Sequence, residues 1–361
     1  MDLIIFVVAL SVLVLVHEWG HFVAARKTGV RVEEFGLGLP PRIVGKKLGQ
    51  TIYSLNWLPI GGFCKLYGED PSGQLEGQAL IKNKTESFQY KKPWQKLLIV
   101  LGGVLMNLVL AIAIFSVVYT ILGVPVETDR VSVVAVSKNS PAEKIGLQEE
   151  DIIVGVNEKE IKKSEELIEE VAKFKGENVK LIINNEELKI YNKEVEIEVR
   201  ENPPEGEGSM GVAISNTELV KSPWYRIDKG IVAGFKEAYY WGEIIFGGVF
   251  KMIGGLLTGQ VPKDVSGPIG MYEATSAIKK NQGILAVIHF FGIVSVNLAV
   301  VNILPFPALD GGRIIFVIYE MITKKRANQK IETTVNNLGM LILLALILLI
   351  TVGDIGRLIG R

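Results

Sequence analysis

Four stretches of this chain are apolar over lengths that, taken with their flanks, approach the thickness of a bilayer, and they decide what it can fold into. Residues 3–16 are apolar apart from Ser11, and the run continues through Trp19, Phe22, Val23 and Ala25. That is about 23 residues, enough at ~1.5 Å each to cross ~30 Å of hydrocarbon. A signal peptide fits poorly, because Met1-Asp2 gives no basic start and no small-residue cleavage site follows. Residues 97–122 form the clearest second span, with Asn107 its one strongly polar residue. A third covers 284–304, interrupted by His289, Asn297 and Asn302, and a fourth covers 338–352 with its flanks. Residues 231–257 mix apolar positions with Lys236, Glu237, Glu243 and Lys251, which reads as an amphipathic helix lying at the membrane interface, or else as a fifth span.

Charge orients these spans. Residues 26–94 carry 11 Lys/Arg against 6 Asp/Glu, and residues 305–335 are also net basic, whereas 123–225 carry 13 against 22. Positive loops stay inside, so the first two segments are expected in the cytoplasm and the long acidic segment outside. Over the whole chain Lys+Arg and Asp+Glu balance at 39 each, so no nucleic-acid partner is expected. The single cysteine, Cys64, excludes an internal disulfide and a cysteine-rich zinc site; it reads as a small apolar filler.

The outside segment begins with short strands broken by Ser-Pro and Gly-Leu turns, followed by a charged helical stretch and further strands at 179–183 and 195–199. The run Ser140-Pro141-Ala142-Glu143-Lys144-Ile145-Gly146-Leu147 resembles the bacterial PDZ domain, which implies a groove that captures an extended peptide or chain end; a steric filter is the other use of such a fold. Residues 201–209, with Pro203-Pro204 and several glutamates, read as a linker.

His17-Glu18-Trp19-Gly20-His21 is an HExxH motif. On a helix, positions i and i+4 share a face, so both imidazoles can reach one zinc ion, and Glu18 beside them can take a proton from a metal-activated water. Three ionisable side chains in a membrane span need partners, which makes this a functional site. Catalytic zinc takes three protein ligands and leaves a fourth position open. The candidate third ligand is Asp310, in Asn302-Ile303-Leu304-Pro305-Phe306-Pro307-Ala308-Leu309-Asp310-Gly311-Gly312, where two prolines break the end of the third span. Asp310 could also cap a helix over 311–322, and the two roles can coexist.

HExxH in the first span and NxxPxPxLDGG after the third resemble the site-2 protease family of intramembrane zinc metalloproteases, in particular its regulator-of-sigma-E branch with a PDZ insert between the second and third spans. The resemblance covers nearly the whole chain. It implies His17, His21 and Asp310 as zinc ligands and Glu18 as catalytic base. Asn302 and Asn297 would hold the substrate backbone or the oxyanion, interhelical hydrogen bonds being their structural alternative. Ile60-Gly61-Gly62-Phe63-Cys64-Lys65-Leu66 resembles the family's membrane-re-entrant β-hairpin, whose edge would pair with an unwound substrate. Ser266-Gly267-Pro268-Ile269-Gly270 resembles its loop before the third span, and Gly102-Gly103 with Asn107 its glycine-rich second span. Some members carry two PDZ domains; this chain has room for one. His289 reads as an interhelical histidine with a partner.

The expected architecture is therefore a polytopic α-helical membrane protein with about four transmembrane helices, a re-entrant β-hairpin and an inserted β-rich PDZ domain. Its parts would be 1–122 (spans one and two), 123–200 (PDZ), 201–283 (linker, interfacial helix and loop) and 284–361 (spans three and four). The resemblance implies a Zn2+-dependent endopeptidase in the bacterial cell (inner) membrane, with the PDZ domain extracytoplasmic and the active site toward the cytoplasm. Its substrates would be single-pass membrane proteins, of the anti-sigma-factor or remnant-signal-peptide kind, cut within the lipid bilayer. The rival reading is a membrane receptor whose PDZ domain binds exported chain ends and whose zinc is structural, but such a site needs no base between its histidines. A zinc transporter would need a polar pathway of several sites, which the chain lacks.

Overall fold

The computed structural model describes residues 1–69, 83–186, 188–204, 207–221, 227–258 and 267–359. The chain divides into two compact units, one formed by Met1–Tyr119 and Arg226–Arg361, the other by Thr120–Tyr225. Among the described residues four helices are long and apolar enough to cross a membrane: Asp2–Lys27, Pro93–Leu122, Ile284–Ile303 and Lys330–Gly356. They coincide with the four apolar runs.

The first unit opens with α1 (Asp2–Lys27) and a hairpin of two long strands, β1 (Val32–Leu48) and β2 (Thr51–Leu66), turned at Gly49, whose φ of 62° suits glycine. The hairpin folds back on itself: Phe35 stands opposite Cys64 on one side and Tyr53 on the other. Gly62 to Lys65 thus border β1, and their far side meets no other strand among the described residues. The hairpin packs Phe35, Tyr53, Cys64 and Leu66 against Phe22 and Ala25 of α1, so Cys64 is part of an apolar cluster.

α2 starts at Pro93, where the missing N–H costs nothing, and runs to Leu122. It crosses α1 glycine on glycine: a Cβ on Gly20 would run into the carbonyl of Gly102, and one on Gly102 would lie 2.6 Å from the Gly20 oxygen. Small residues here let two backbones meet, which in lipid replaces the hydrophobic drive between helices. The rest of this unit comprises the helices at Ile227–Leu257, Pro268–Gln282, Ile284–Ile303, Asp310–Thr323 and Gln329–Ile359, numbered α5 to α9. The expected amphipathic helix is α5; it seats Gly234 against Ser116 of α2, while Phe235, Tyr239 and Phe250 stay exposed.

The expected loop at 266–270 is different: Ser266 lies outside the described residues, and Gly267 leads into α6, a full helix. Its first turn is held from the far end of the chain, since the N–H groups of Gly267 and Gly270 each donate to Oδ2 of Asp354 on α9 at 3.0 Å. This satisfies donors that a helix start leaves open.

The second unit is a mainly antiparallel sheet of β3 (Val124–Val136), β4 (Ile152–Val156), β6 (Asn178–Asn185), β7 (Ile190–Glu198) and β8 (Val212–Val220) in the order β7-β6-β4-β3-β8, with the short β5 (Lys159–Glu160) beside β4. Helices α3 (Pro141–Lys144) and α4 (Ser164–Ala172) complete it, around a core of Val131, Ile153, Leu167, Leu181 and Ile197. The Ser-Pro run is a capped turn, with the Glu143 N–H donating to Ser140 Oγ at 3.1 Å and the Asn139 N–H to Glu143 Oε2 at 2.6 Å. The boundary placed at residue 200 falls inside this unit. Arg200 grips the supposed linker through Glu207 Oε2 at 2.7 Å and the Gly208 carbonyl at 3.0 Å, and β8 follows to pair with β3.

Candidate metal centre

His17 and His21 stand one turn apart on α1, their rings nearly perpendicular at 88° and their centroids 4.8 Å apart. The Nε2 atoms are 3.2 Å from each other, and Asp310 Oδ2 lies 3.2 Å from the first and 3.3 Å from the second. Asp310 is brought there by the broken end of α7. That helix stops at Ile303, the chain turns through Pro305 and Pro307, and α8 starts at Asp310 itself. The capping role considered for Asp310 is not seen: Leu309 occupies the cap position and no side chain caps the helix. The glycines that follow have no alternative, because a Cβ on Gly311 would strike the Leu304 carbonyl and one on Gly312 would lie 2.5 Å from that of Phe306. On the other side Gly339 of α9 sits directly on Pro307, and Asn336 Oδ1 accepts from the Ala308 N–H at 3.4 Å.

Two imidazoles and a carboxylate are a donor set that suits catalytic zinc. Bonds of ~2.1 Å at tetrahedral angles put ligand atoms about 3.4 Å apart, close to the three separations here. Asp310 Oδ2 is buried yet makes no hydrogen bond of good geometry, which leaves a desolvated anionic oxygen that a cation would satisfy. The residues fit the ion, and these three could hold it.

The surrounding shell prepares both histidines. His21 Nδ1 is 2.8 Å from the Ile99 carbonyl, so its proton sits there and Nε2 keeps a free lone pair. His17 Nδ1 is 3.2 Å from the side-chain amide of Asn107, which is fully buried and has an unpartnered Oδ1. The atom that faces Nδ1 is the amide nitrogen Nδ2; with its amide turned over, Asn107 would instead present Oδ1, accept the Nδ1 proton and leave His17 Nε2 free in the same way. In the sequence Asn107 is only the polar residue of a glycine-rich span; its contact with His17 is set by packing across ninety residues and carries no local signal. Gly103 forms the wall, since a Cβ there would lie 2.6 Å from His17 Cε1 and 2.7 Å from His21 Cε1.

Glu18 is half-buried, and its Cγ would lie 3.5 Å from a Cβ on Gly62, so the β2 edge runs beside it. Gly61, Gly62, Phe63, Cys64 and Lys65 all belong to that edge, with Gly61 at a φ of 91°. Asn302 lies half-buried in the last turn of α7 and Asn297 is exposed one and a half turns earlier; among the described residues no hydrogen bond joins either to the cluster. His289 stands apart from it. It pairs with Glu237 of α5 at 3.3 Å, which also accepts from Trp241 Nε1 at 2.8 Å, and it packs on Phe115 and Tyr119.

Comparison with known proteins carries this geometry to a family. Residues 5–346 match the model of peptidase family M50. A putative zinc metalloprotease of Clostridium acetobutylicum is 32% identical over 354 residues, covering 98% of this chain and 97% of the relative. One of Clostridium perfringens is 33% identical over 359 residues, covering 98% of each. Zinc metalloprotease RasP of Shouchella clausii is 29% identical over 431 residues and 99% of each chain. With the match running from the first span into the last, the chain belongs to peptidase family M50, the site-2 proteases, and is a zinc metalloprotease of the membrane.

Proposed function

We propose that this protein is an intramembrane endopeptidase that cuts within the transmembrane segments of single-pass membrane proteins. The observation that carries the reading is the convergence of His17, His21 and Asp310 among helices apolar enough to span the bilayer. In this reading those three residues hold zinc. Bound zinc supplies a Lewis acid that polarises the scissile carbonyl and makes water a nucleophile near neutral pH. Glu18 takes the proton released by the attacking water and delivers it to the leaving amine nitrogen. Its place beside Gly62 supports this, because a substrate strand laid on the Gly61–Lys65 edge would pass next to the carboxylate.

A helical substrate hides its backbone in hydrogen bonds, so it must unwind before any carbonyl is attacked. The hairpin edge offers the unwound strand new partners, and the exposed Leu39, Val44, Trp57 and Leu58 suit a hairpin that dips into lipid. Asn302, at the broken end of α7, is the nearer of the two asparagines to Asp310 along the chain and the better placed to support the oxyanion. The 120–225 unit acts as a PDZ domain outside the membrane, binding or excluding substrate ectodomains, and the acidic balance of that segment supports the sidedness. Substrates already trimmed outside, such as anti-sigma factors or remnant signal peptides, fit such a filter.

The test is cleavage of a single-pass substrate by the purified protein in detergent, for wild type, Glu18→Gln and a chelator-treated sample. Wild type alone should give products whose new ends map inside the apolar segment. Glu18→Gln should lose roughly 10²–10⁴-fold in rate while retaining zinc. Cleavage unchanged in a folded Glu18→Gln protein would remove the proposed base.

A further inference from the structure

Two loops far apart in sequence meet around Tyr90. One precedes α2 and carries Lys84, Lys91 and Lys92; the other joins α8 to α9 and carries Lys324, Lys325 and Arg326, with Lys330 following in the first turn of α9. The Arg326 guanidinium lies 4.5 Å from the centre of the Tyr90 ring, and the Lys84 ammonium lies 5.5 Å from the same centre. Lys91 reaches toward the end of α1, its Nζ 3.2 Å from where a Cβ on Gly29 would stand. Three span ends therefore gather here, the C-terminus of α1 and the N-termini of α2 and α9.

Gathering like charges on one ring is unfavourable unless anions offset it. The carboxylates nearby are engaged with other cations: Glu86 with Arg31 at 3.7 Å, Glu320 with Lys96 at 2.6 Å, and Glu69 with Arg313. Glu332 lines the same cavity of about 480 Å³ as Arg326, but it also faces Arg313 and Lys96. Among the described residues none of Lys84, Lys92, Lys324, Lys325, Arg326 or Lys330 has a carboxylate partner within ion-pair distance. Tyr90 is 40% exposed and Trp94 51%, the aromatic pair that favours headgroup level.

We propose that the cations around Tyr90 form a binding site for the headgroups of anionic phospholipids, on the face of the membrane where α2 and α9 begin. Loop charges that only set topology need no common focus, whereas here two loops separated by more than two hundred residues supply cations to one ring. A phosphodiester accepts from both Arg326 and Lys84 while its acyl chains lie along the adjoining spans, and Tyr90 and Trp94 flank it at the interface. The site depends on the membrane spans and not on the reading of the metal centre. Because the α8–α9 loop also leads to Asn336 and Gly339, which seat the Pro307 turn, a bound lipid would brace the segment that presents Asp310.

The experiment is mass spectrometry of the full chain in detergent, titrated with phosphatidylglycerol or phosphatidylcholine. Wild type should prefer phosphatidylglycerol by at least about tenfold. Each cation near a membrane surface contributes about fivefold, so the triple variant Lys84→Gln/Lys92→Gln/Arg326→Gln should lose on the order of a hundredfold in affinity. Removing the same charge from the other unit, with Lys138→Gln/Lys175→Gln/Lys193→Gln, should leave the preference intact. In wild type the preference should also fall as salt is raised, which tests the site even where the triple variant folds poorly. The proposal is overturned by wild type showing no preference or no salt dependence, or by equal loss in both triple variants. It is overturned too by glycerol phosphate displacing the lipid at equal concentration, which would mark a free-anion site.

Discussion

Gly103→Ala is the sharpest perturbation of the metal centre, because two opposing effects act on one atom. Alanine inside a helix is favoured over glycine by about 1 kcal/mol, so on propensity alone the change stabilises α2. The added Cβ, however, would meet His21 Nε2 inside contact distance, with His17 Cε1 at 2.6 Å and His21 Cε1 at 2.7 Å. Ordinary carbon contacts are ~3.5–4.0 Å, so both rings must retreat by roughly 1 Å. Overpacking of this kind costs about 1–3 kcal/mol, which outweighs the propensity gain. The larger consequence is chemical. Metal ligands tolerate about 0.2 Å, and a shift of ~1 Å at a reacting centre costs about 10²-fold in rate. Zinc affinity should fall by at least about a hundredfold, measured by metal content and by competition with a chelator, and cleavage should fall with it. Gly242→Ala is the control, since its Cβ would meet only Val296 at an ordinary 3.9 Å. A Gly103→Ala protein that binds zinc and cleaves like wild type would refute the placement of both histidines against α2.

Asn107→Leu removes the amide that faces His17 Nδ1 while keeping a buried side chain of similar size; loss of such a second partner should weaken zinc binding about 10–100-fold, read by chelator competition. In the 120–225 unit the Glu166 carboxylate accepts from the N–H groups of Lys162 and Lys163, which holds it below its usual value of 4.5. A lowered folded-state value stabilises above the unfolded value and is lost as pH falls, so this unit should open more readily below about pH 4.5. Hydrogen exchange of the 162–172 peptides in the full chain should show that acid sensitivity reduced in Glu166→Gln.

The four spans were legible because span length depends only on how far an apolar run extends, and nothing in tertiary packing changes that. Helix α6 was not. Its residues alternate polar and apolar without a long apolar stretch, and the one local sign was Gly267 before Pro268, a helix start that reads equally as a turn. β8 was hidden for a similar reason: Pro203-Pro204 and the glutamates around them look like a linker, although the strand that follows completes the sheet beside β3. The folded-back register of the hairpin was out of reach, since period-two patterning assigns faces without telling which half of a long strand pairs with which.

The metal centre shows where sequence pattern stops and packing begins. HExxH puts two histidines on one face by helix geometry alone, because positions four apart share a face whatever else the chain does. Nothing local fixes the distance from those histidines to Asp310, which is set by three separate close approaches. Gly20 on Gly102 brings α2 against α1, which delivers Asn107 and Ile99 to the outer nitrogens of the rings. Gly311 and Gly312 close the turn after Pro307 tightly enough for Asp310 to face inward, and Gly339 holds that turn from α9. Each approach uses a residue whose only asset is the absence of a side chain, so in the sequence they read as flexible or merely small. The candidate ligands are written in the motif, but the tautomers, the position of Asp310 and the tolerance of the site are written in those glycines. Substitution there should therefore disturb zinc binding more than substitution of most side chains that line the centre.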